Sequence, residues 1–456
     1  GSASPQTFVL TVSLADAVPT LVTQPAGATV QLGSNATFTA SATGTPLPTL
    51  RWQRQPSGTS GFVDLSDDGV YSGTTTGSLT VSNTAAGMTG DQFRLVASNT
   101  INGVVNTGTS SVATLTVNIG TTITTFAGTA GSTGTTDGTG TAARFNGPAS
   151  IAVDVFGTFY VADSANHVIR KVSSAGVVTT VAGAAGVSGS VDGVGADARF
   201  SGPSALATDG VGNVYVADTY NHIIRVLAPS GMVTTLAGLA GNNGNVDGQG
   251  TAARFAFPAG IAVDSSANIY VADSINHTIR RVTAGGQVTT FAGLAGAPGS
   301  SNGTGNAARF YYPNGLAVGS GGVIYVADSF NHIIRRITSA AEVTTLAGTA
   351  NAQGSADGNG STARFNQPID VGVDSTGNIY VADTYNHTIR KIATNGDVTT
   401  LAGAAGVAGS TDGVGASARF NQPFGLTVDT SGNLYIADTR NSTIRRSGTT
   451  SAPGVQ

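Results

Sequence analysis

The chain has no cysteine and very little charge. Its 456 residues include 64 Gly, 2 Met and one Glu, and only 10% of them are charged. The absence of cysteine excludes disulfides, thiolate nucleophiles and Cys-ligated metal sites. Long surface helices normally recruit Glu and Lys, so their scarcity, together with the many glycines, predicts an all-β protein of short strands and tight turns.

The chain also lacks a cationic cluster and a long apolar run. Of its 21 basic residues, all but Arg51, Arg54 and Arg94 occupy two repeated positions or lie close to them. A nucleic-acid-binding surface needs concentrated positive charge, so we expect no nucleic-acid partner. No apolar stretch approaches the roughly 20 residues that span a bilayer, so we expect no membrane insertion.

Most of the chain repeats one unit. The string (V/I)TT(F/V/L)AG begins at residues 123, 178, 233, 288, 343 and 398, a constant step of 55 residues, and ARF and Y(V/I)AD recur with the same step. Within one unit, residues 366–403 contain four alternating apolar runs separated by turn residues, which predicts four antiparallel strands. Such sheets bury their faces by stacking radially, so the repeat predicts a closed six-bladed β-propeller over residues 119–448.

The ends of the repeat predict how the ring closes. The first copy contributes only the strand at 123–128 before its long loop, and the last copy stops near Ser447 after three strands. We expect the strand at 123–128 to pair with the strand around Thr443 to Arg446, which completes one blade from three strands plus one. Residues 449–456 then form a C-terminal tail.

The repeat resembles a known family. Residues 258–282, PAGIAVDSSANIYVADSINHTIRRV, are similar to the NHL repeat, whose Asn-His-Leu signature stands here as Asn-His followed by Ile or Thr. The resemblance covers all six units. It implies a six-bladed propeller that serves mainly as a recognition platform for proteins, RNA or glycans. A few relatives, such as the peptidyl-amidating lyases, are metal enzymes.

Residues 19–118 resemble an immunoglobulin-like (Ig-like) β-sandwich. Trp52 stands where such folds place their core Trp, whereas Ala40 and Leu95 replace the usual pair of cysteines. Residues 1–18 resemble the remnant of a preceding Ig-like domain and a linker. The resemblance therefore implies further Ig-like domains in the full-length chain, which we expect to be a secreted or cell-surface bacterial protein.

Residues shared by the units are expected to hold the fold. Five His residues and Ser442 occupy one slot after the second strand, and an Asp precedes that slot in every unit; we expect both to hydrogen-bond the backbone. We expect no cofactor, with Zn²⁺ at the His or Ca²⁺ at the Asp as alternatives. The Phe of ARF is expected to pack between blades. An Asp seven residues before the ARF Arg is expected to pair with that Arg, and Asn302 breaks this pattern; these are Asp137, Asp192, Asp247, Asp357 and Asp412.

An asymmetric ligand should be found at the positions where the units differ. Two loops that open on one face of a propeller carry this variation, in the two residues after ARF and in the residue before Asn-His. Aromatic residues around such a rim favour recognition of a glycan or a protein, and Asp370 replaces the Gly, Ser or Ala of the other units near the axis. The candidate ligand-binding residues are Phe257, Tyr311, Tyr312, Tyr220, Phe330, Tyr385, Asp370, Asn314 and Phe424.

These patterns favour a non-catalytic binding or scaffold module. The sequence has no HExxH, and it has neither a GxSxG motif nor a phosphate-binding glycine motif between a strand and a helix. Two alternatives remain. One is a metal-dependent lyase or hydrolase with its site at the mouth of the central channel, and the other is a purely architectural bead of an adhesin or filament.

Overall fold

The structure is a computed structural model that describes residues 15–118 and 120–448. They divide into two compact units, one ending at Gly120 and one beginning at Thr121. Within these residues the fold is all-β, every helical segment is a three-residue 3-10 turn, and no helix is long and apolar enough to cross a membrane. The predicted remnant strand before residue 15 and the tail at 449–456 lie outside the described residues.

The first unit packs short strands around one apolar core. Trp52 is fully buried, and its Nε1 donates a hydrogen bond to the carbonyl of Thr76 at 2.9 Å. Ala40 and Leu95, at the positions expected of a cysteine pair, lie in the same apolar cluster as Trp52. The strands are Ala17–Thr23, Ala28–Gln31, Ala36–Thr39, Ser41–Thr45, Thr49–Gln55, Val63–Asp64, Tyr71–Ser72, Ser78–Val81, Gln92–Ile101, Val104–Thr109 and Ala113–Asn118.

The described residues of the second unit form six five-stranded antiparallel sheets, numbered here 1 to 6 by their innermost strands. These innermost strands are Pro148–Val153, Pro203–Thr208, Pro258–Val263, Pro313–Val318, Asp370–Val373 and Pro423–Val428. The second strands are Phe159–Asp163, Val214–Asp218, Ile269–Asp273, Ile324–Asp328, Ile379–Asp383 and Leu434–Asp438. The third strands are Val168–Val172, Ile223–Leu227, Thr278–Val282, Ile333–Ile337, Thr388–Ile392 and Thr443–Gly448.

The outer strands complete each sheet. The fourth strands of sheets 1 to 6 are Val177–Ala182, Met232–Ala237, Gln287–Ala292, Glu342–Ala347, Asp397–Gly403 and Thr122–Ala127. A fifth strand of two residues, which the sequence did not reveal, comes from each long loop: Gly138–Thr139, Gly193–Val194, Gly248–Gln249, Gly303–Thr304, Gly358–Asn359 and Gly413–Val414.

Short 3-10 turns recur in the long loops and after the second strands. In the long loops they are Gly140–Ala142, Gly195–Asp197, Gly250–Ala252, Gly305–Ala307, Gly360–Thr362 and Gly415–Ser417. After the second strands they are Ser164–Asn166, Thr219–Asn221, Ser274–Asn276, Ser329–Asn331, Thr384–Asn386 and Thr439–Asn441. Two further turns are Ala86–Met88 and Ser320–Gly322.

The six sheets close into a ring. The innermost strands of consecutive sheets contact each other, and the innermost strand of sheet 6 contacts that of sheet 1. The hydroxyl of Thr439 donates to the carbonyl of Pro148 at 2.7 Å across this junction. In sheet 6 the strand Thr122–Ala127 pairs antiparallel with Thr443–Gly448. The predicted joining of the two ends of the repeat in one sheet is therefore confirmed.

A buried Arg on the third strand fastens each long loop to its sheet. In sheet 1, Nη1 of Arg170 donates to Asp163 at 2.9 Å, while Nη2 donates to Asp137 at 2.7 Å. The guanidinium also lies 5.2 Å from the ring centroid of Phe145, which is buried among side chains of sheets 1 and 6, as the prediction for the ARF Phe requires. The predicted pairing of Asp137 with Arg144 is wrong. Nη1 of Arg144 instead donates to two carbonyls of its own loop, and the same exchange of partners holds at Asp192, Asp247, Asp357 and Asp412.

Each His ties its sheet to the next. The five His residues adopt left-handed backbone conformations with φ between 58° and 61°. In sheet 3, Nδ1 of His277 accepts a hydrogen bond from the backbone N–H of Tyr312 in sheet 4 at 3.2 Å. Burial lowers the pKa of His277, in keeping with the neutral imidazole that an accepting Nδ1 requires. The predicted backbone role of the His slot is therefore confirmed.

Candidate functional site

A cavity of about 380 Å³ lies between the six innermost strands. Four of the predicted ligand-binding residues line it, namely Tyr220, Asn314, Asp370 and Phe424. The other five lie in the loops around it. We call a loop that holds the two residues after ARF a lead-in loop. Each lead-in loop bonds to the turn after the second strand of its own sheet, so the two variable loops lie on one face, as predicted. In sheet 4, for example, Phe330 N–H donates to the carbonyl of Tyr311 at 3.1 Å.

Asp370 joins three sheets at the wall of this cavity. Its Oδ1 accepts from the N–H of Val371 at 2.9 Å in sheet 5, and its Oδ2 accepts from the N–H of Leu426 at 2.9 Å in sheet 6. A Cβ on Gly315 of sheet 4 would lie 2.6 Å from the Cα of Asp370, so position 315 has no room for a side chain. Burial raises the pKa of Asp370 to about 7 against the lowering effect of the two backbone hydrogen bonds.

The role of Asp370 has a counterpart in sheet 1. The hydroxyl of Ser150, at the same repeat position, accepts from the N–H of Leu206 in sheet 2 at 3.2 Å. The polar side chain at this position therefore serves as a link between neighbouring innermost strands. At Asp370 the link also brings a carboxylate to the cavity wall.

An aromatic cluster stands beside the cavity, made of Tyr311, Tyr312 and Phe330 of sheet 4 and His277 of sheet 3. The ring centroids of Tyr312 and Phe330 are 4.7 Å apart, and those of Tyr311 and Phe330 are 5.4 Å apart. His277 lies 5.0 Å from Tyr312. Phe330 remains 40% exposed, so the cluster presents an aromatic face to solvent.

Two of these loop aromatics occupy a strained backbone conformation. The second residue after ARF has a positive φ in all six sheets. It is a glycine in sheets 1 and 2, with φ of 60° at Gly147 and 56° at Gly202. Phe257 and Tyr312 hold φ of 53° and 50° at the same position. Bulky residues rarely adopt this region. Gln367 and Gln422 also have a positive φ there, so the conformation is a repeated feature of the loop, and Phe257 and Tyr312 are the aromatic residues that it carries.

Asn314 connects the aromatic cluster to the cavity. Its Nδ2 donates to the Oγ of Ser329 at 3.0 Å and to the carbonyl of Tyr312 at 3.4 Å. The Ser329 hydroxyl in turn donates to the carbonyl of Pro368 in sheet 5 at 2.6 Å. Sequence reasoning missed Ser329, although a Ser or Thr follows Y(V/I)AD in every unit.

The remaining predicted residues lie in other sectors of the ring. Tyr220 and Phe257 form an edge-to-face pair with centroids 6.0 Å apart, and a Cβ on Gly202 would collide with the Tyr220 ring. Tyr385 is 45% exposed and has no ring contact within the described residues. The predicted set therefore separates into a cavity wall, a cluster in sheets 3 and 4, a smaller pair in sheets 2 and 3, and an isolated Tyr385.

Metal ligation has little structural basis in the described part of the chain. Within residues 15–118 and 120–448, no three side chains of His, Asp or Glu come together in a way that could hold a metal ion. The five His residues use Nδ1 to accept backbone N–H groups from neighbouring sheets.

Comparison with known proteins identifies the repeat. The profile of the NHL repeat matches residues 255–282, 310–336, 365–392 and 420–446, which fall in sheets 3 to 6. The chain carries four NHL repeats within a β-propeller. Because the 55-residue unit continues through sheets 1 and 2, the NHL resemblance predicted from the sequence is supported for this unit.

Relatives match this chain in sequence over part of their length. The chain is 30% identical over 315 residues to Protein SUPPRESSOR OF QUENCHING 1 of Arabidopsis thaliana, covering 65% of this chain and 30% of that protein. It is 29% identical over 335 residues to NHL repeat-containing protein 2 of Bos taurus, covering 65% of this chain and 46% of that protein. The chain thus spans less than half of each of these relatives.

A solved structure shows a similar fold. An auxiliary nutrient binding protein from Bacteroides thetaiotaomicron matches 95% of this chain and 97% of its own, with a TM-score of 0.56 and 17% sequence identity. This likeness shows a shared fold.

Proposed function

We propose that the chain is a non-catalytic binding module whose ligand, a glycan or a protein, lies on the lead-in loop face above the central cavity. The observation that carries this proposal is the concentration of exceptions on one face. Residues that repeat in every sheet hold the fold, whereas Asp370 at the cavity wall and Tyr312 and Phe330 in the neighbouring loops break the repeat.

The proposal includes a specific architecture. The six sheets are the blades of one six-bladed NHL propeller, and residues 19–118 form an Ig-like sandwich that serves as a spacer. We further propose a secreted or cell-surface bacterial protein with additional Ig-like domains. The described auxiliary nutrient binding protein supports a binding role through its shared fold alone.

The two alternatives make different predictions. A metal-dependent lyase or hydrolase at the channel mouth would bind stoichiometric metal, which elemental analysis of the purified chain would detect. An architectural bead would bind no soluble ligand. The binding hypothesis is favoured because aromatic residues that break the repeat lie in loops on one face, which a purely structural bead does not require.

The test compares wild type with Phe330→Ala and Asp370→Ser on glycan and protein arrays. Phe330 is partly exposed and Ser150 shows that serine fits the position of Asp370, so both variants should fold. We expect weaker binding of the same ligand by both variants, with melting temperatures that show the folded state is kept. Unchanged binding by both folded variants would place the ligand elsewhere.

A further inference from the structure

We infer that the aromatic cluster of Tyr311, Tyr312 and Phe330 is a stacking platform for an uncharged glycan; this inference rests on the proposed function. A sugar ring presents an apolar C–H face that packs on an aromatic ring, and a rim of hydroxyls that needs hydrogen-bond partners. The cluster offers rings beside the polar groups of the cavity wall. Asn314, whose amide donates to the carbonyl of Tyr312, and Asp370 both line this cavity.

The geometry of the rings favours one sugar face rather than a flat apolar partner. Tyr312 and Phe330 are tilted by 40° and Tyr311 and Phe330 by 56°, so the three rings are not coplanar. Neither tyrosine hydroxyl has a hydrogen-bond partner among residues 15–118 and 120–448.

The distribution of charge selects a neutral ligand. Among the lead-in loops and the positions before Asn-His, only Arg440 is charged, and its Nε donates to the Oε1 of Gln422 at 2.6 Å. The ionisable groups in or beside the cluster are buried: His277 is 8% exposed, and Asp328, which accepts from Tyr311 N–H, and its partner Arg335 are both 0% exposed. An acidic peptide or acidic glycan would meet no exposed counter-charge here.

The strained backbone of Tyr312 provides the sharpest variant. Tyr312→Gly places at this position the residue that sheets 1 and 2 already carry at nearly the same φ, so it removes the ring and leaves a backbone that the fold accepts. Phe156→Ala is the control, because Phe156 is an aromatic residue, 77% exposed, in the turn between the first and second strands of sheet 1 and outside the candidate ligand-binding residues.

The experiment screens an array of neutral oligosaccharides, followed by calorimetric titration of each binder at low and high salt. We expect wild type to bind at least one neutral glycan with an affinity that salt does not change, since no ion pair is involved. Tyr312→Gly and Phe330→Ala should each weaken it by about tenfold, the loss of one aromatic stacking contact. Phe156→Ala should bind as wild type does.

The outcomes separate the ligand class from the site. Salt-dependent binding of acidic glycans or peptides, weakened by Tyr312→Gly, would overturn the neutral-glycan inference and keep the proposed binding face. Neutral-glycan binding that survives both Tyr312→Gly and Phe330→Ala would overturn the platform and also move the proposed site. Binding to proteins alone would reject the glycan and leave the binding module standing.

Discussion

Arg335 has one carboxylate partner where the five equivalent arginines of the described sheets have two. Asn302 stands in the long loop of sheet 4 at the position that is Asp in the other units. Its Oδ1 accepts from Nη2 of Arg335 at 3.0 Å, longer than the 2.7 Å of the Asp137 contact in sheet 1. A neutral amide therefore holds this loop to a buried cation, and the local fold tolerates the difference.

Asn302→Asp should stabilise the protein. The new carboxylate would pair with Arg335 as Asp137 pairs with Arg170. It would also have a second acceptor oxygen, like the one with which Asp137 accepts from the backbone N–H of Thr180 while its other oxygen accepts from the Thr180 hydroxyl. The gain should be about 0.5–1 kcal/mol in the free energy of unfolding, because the equivalent Asp side chains are close to half-exposed, as the 48% of Asp137 shows. Thermal unfolding measures it, with Asn302→Ala, which removes the acceptor, as a destabilised control. A lower melting temperature for Asn302→Asp would contradict the pairing.

Asp370 should make stability depend on pH near neutrality. Its folded-state pKa of about 7 lies above the ordinary value of 3.8 because burial disfavours the charged form. Between these two values the folded chain keeps a proton that the unfolded chain releases, so stability falls as pH rises through this window, by at most about 1.4 kcal/mol per pH unit. Below pH 3.8 both states are protonated and the effect vanishes.

Comparison with Asp370→Ser isolates this effect. Serine does not titrate, and Ser150 shows that its hydroxyl can accept the same inter-sheet N–H. Denaturant unfolding from pH 4 to pH 8 should show the difference in stability, variant minus wild type, growing with pH and levelling above pH 7. A difference that stays constant across this range would show that Asp370 titrates near its ordinary pKa.

Strands and turns differ in how far the sequence predicts them. The strands of sheet 5 follow the alternating runs of residues 366–403, because a period of two residues and a fixed repeat leave little freedom. The two-residue fifth strands were not predicted, because so short a segment shows no periodicity of apolar residues. The wrong pairing of Asp137 with Arg144 has a similar cause, since spacing along a loop does not determine how the loop folds back on its sheet.

The candidate site shows the same division. The repeat identified Tyr312 and Phe330 as exceptions, but not that His277 of the preceding sheet completes their cluster, because that contact depends on how neighbouring sheets pack. The strain at Phe257 and Tyr312 was equally hidden. This backbone strain can be recognised only when the glycines of sheets 1 and 2 are known to have a positive φ at the same position.

The ring as a whole depends on the strand that begins it. Thr122–Ala127 lies between Gly413–Val414 and Thr443–Gly448 in sheet 6, with Thr122 opposite Gly448. Ile123 and Ala127 are fully buried in two different apolar clusters. Losing this strand would expose the edge of Thr443–Gly448 and remove burial of about 1.5–3 kcal/mol for Ile123 alone.

A circular permutant tests whether the closure depends on pairing or on chain order. Because Thr122 faces Gly448 in an antiparallel pair, a two-residue Asn-Gly turn can join them as a hairpin. A chain that begins at residue 129, runs to Gly448 and continues through this turn into residues 122–128 should unfold at nearly the temperature of a chain spanning 121–448. A chain of 129–448 without the strand should unfold at a lower temperature and associate through its open edge, as sedimentation would show. If the permutant unfolds at the lower temperature of the truncated chain, the order in which the strand is joined matters more than its pairing. The closure inferred from the register would then be wrong.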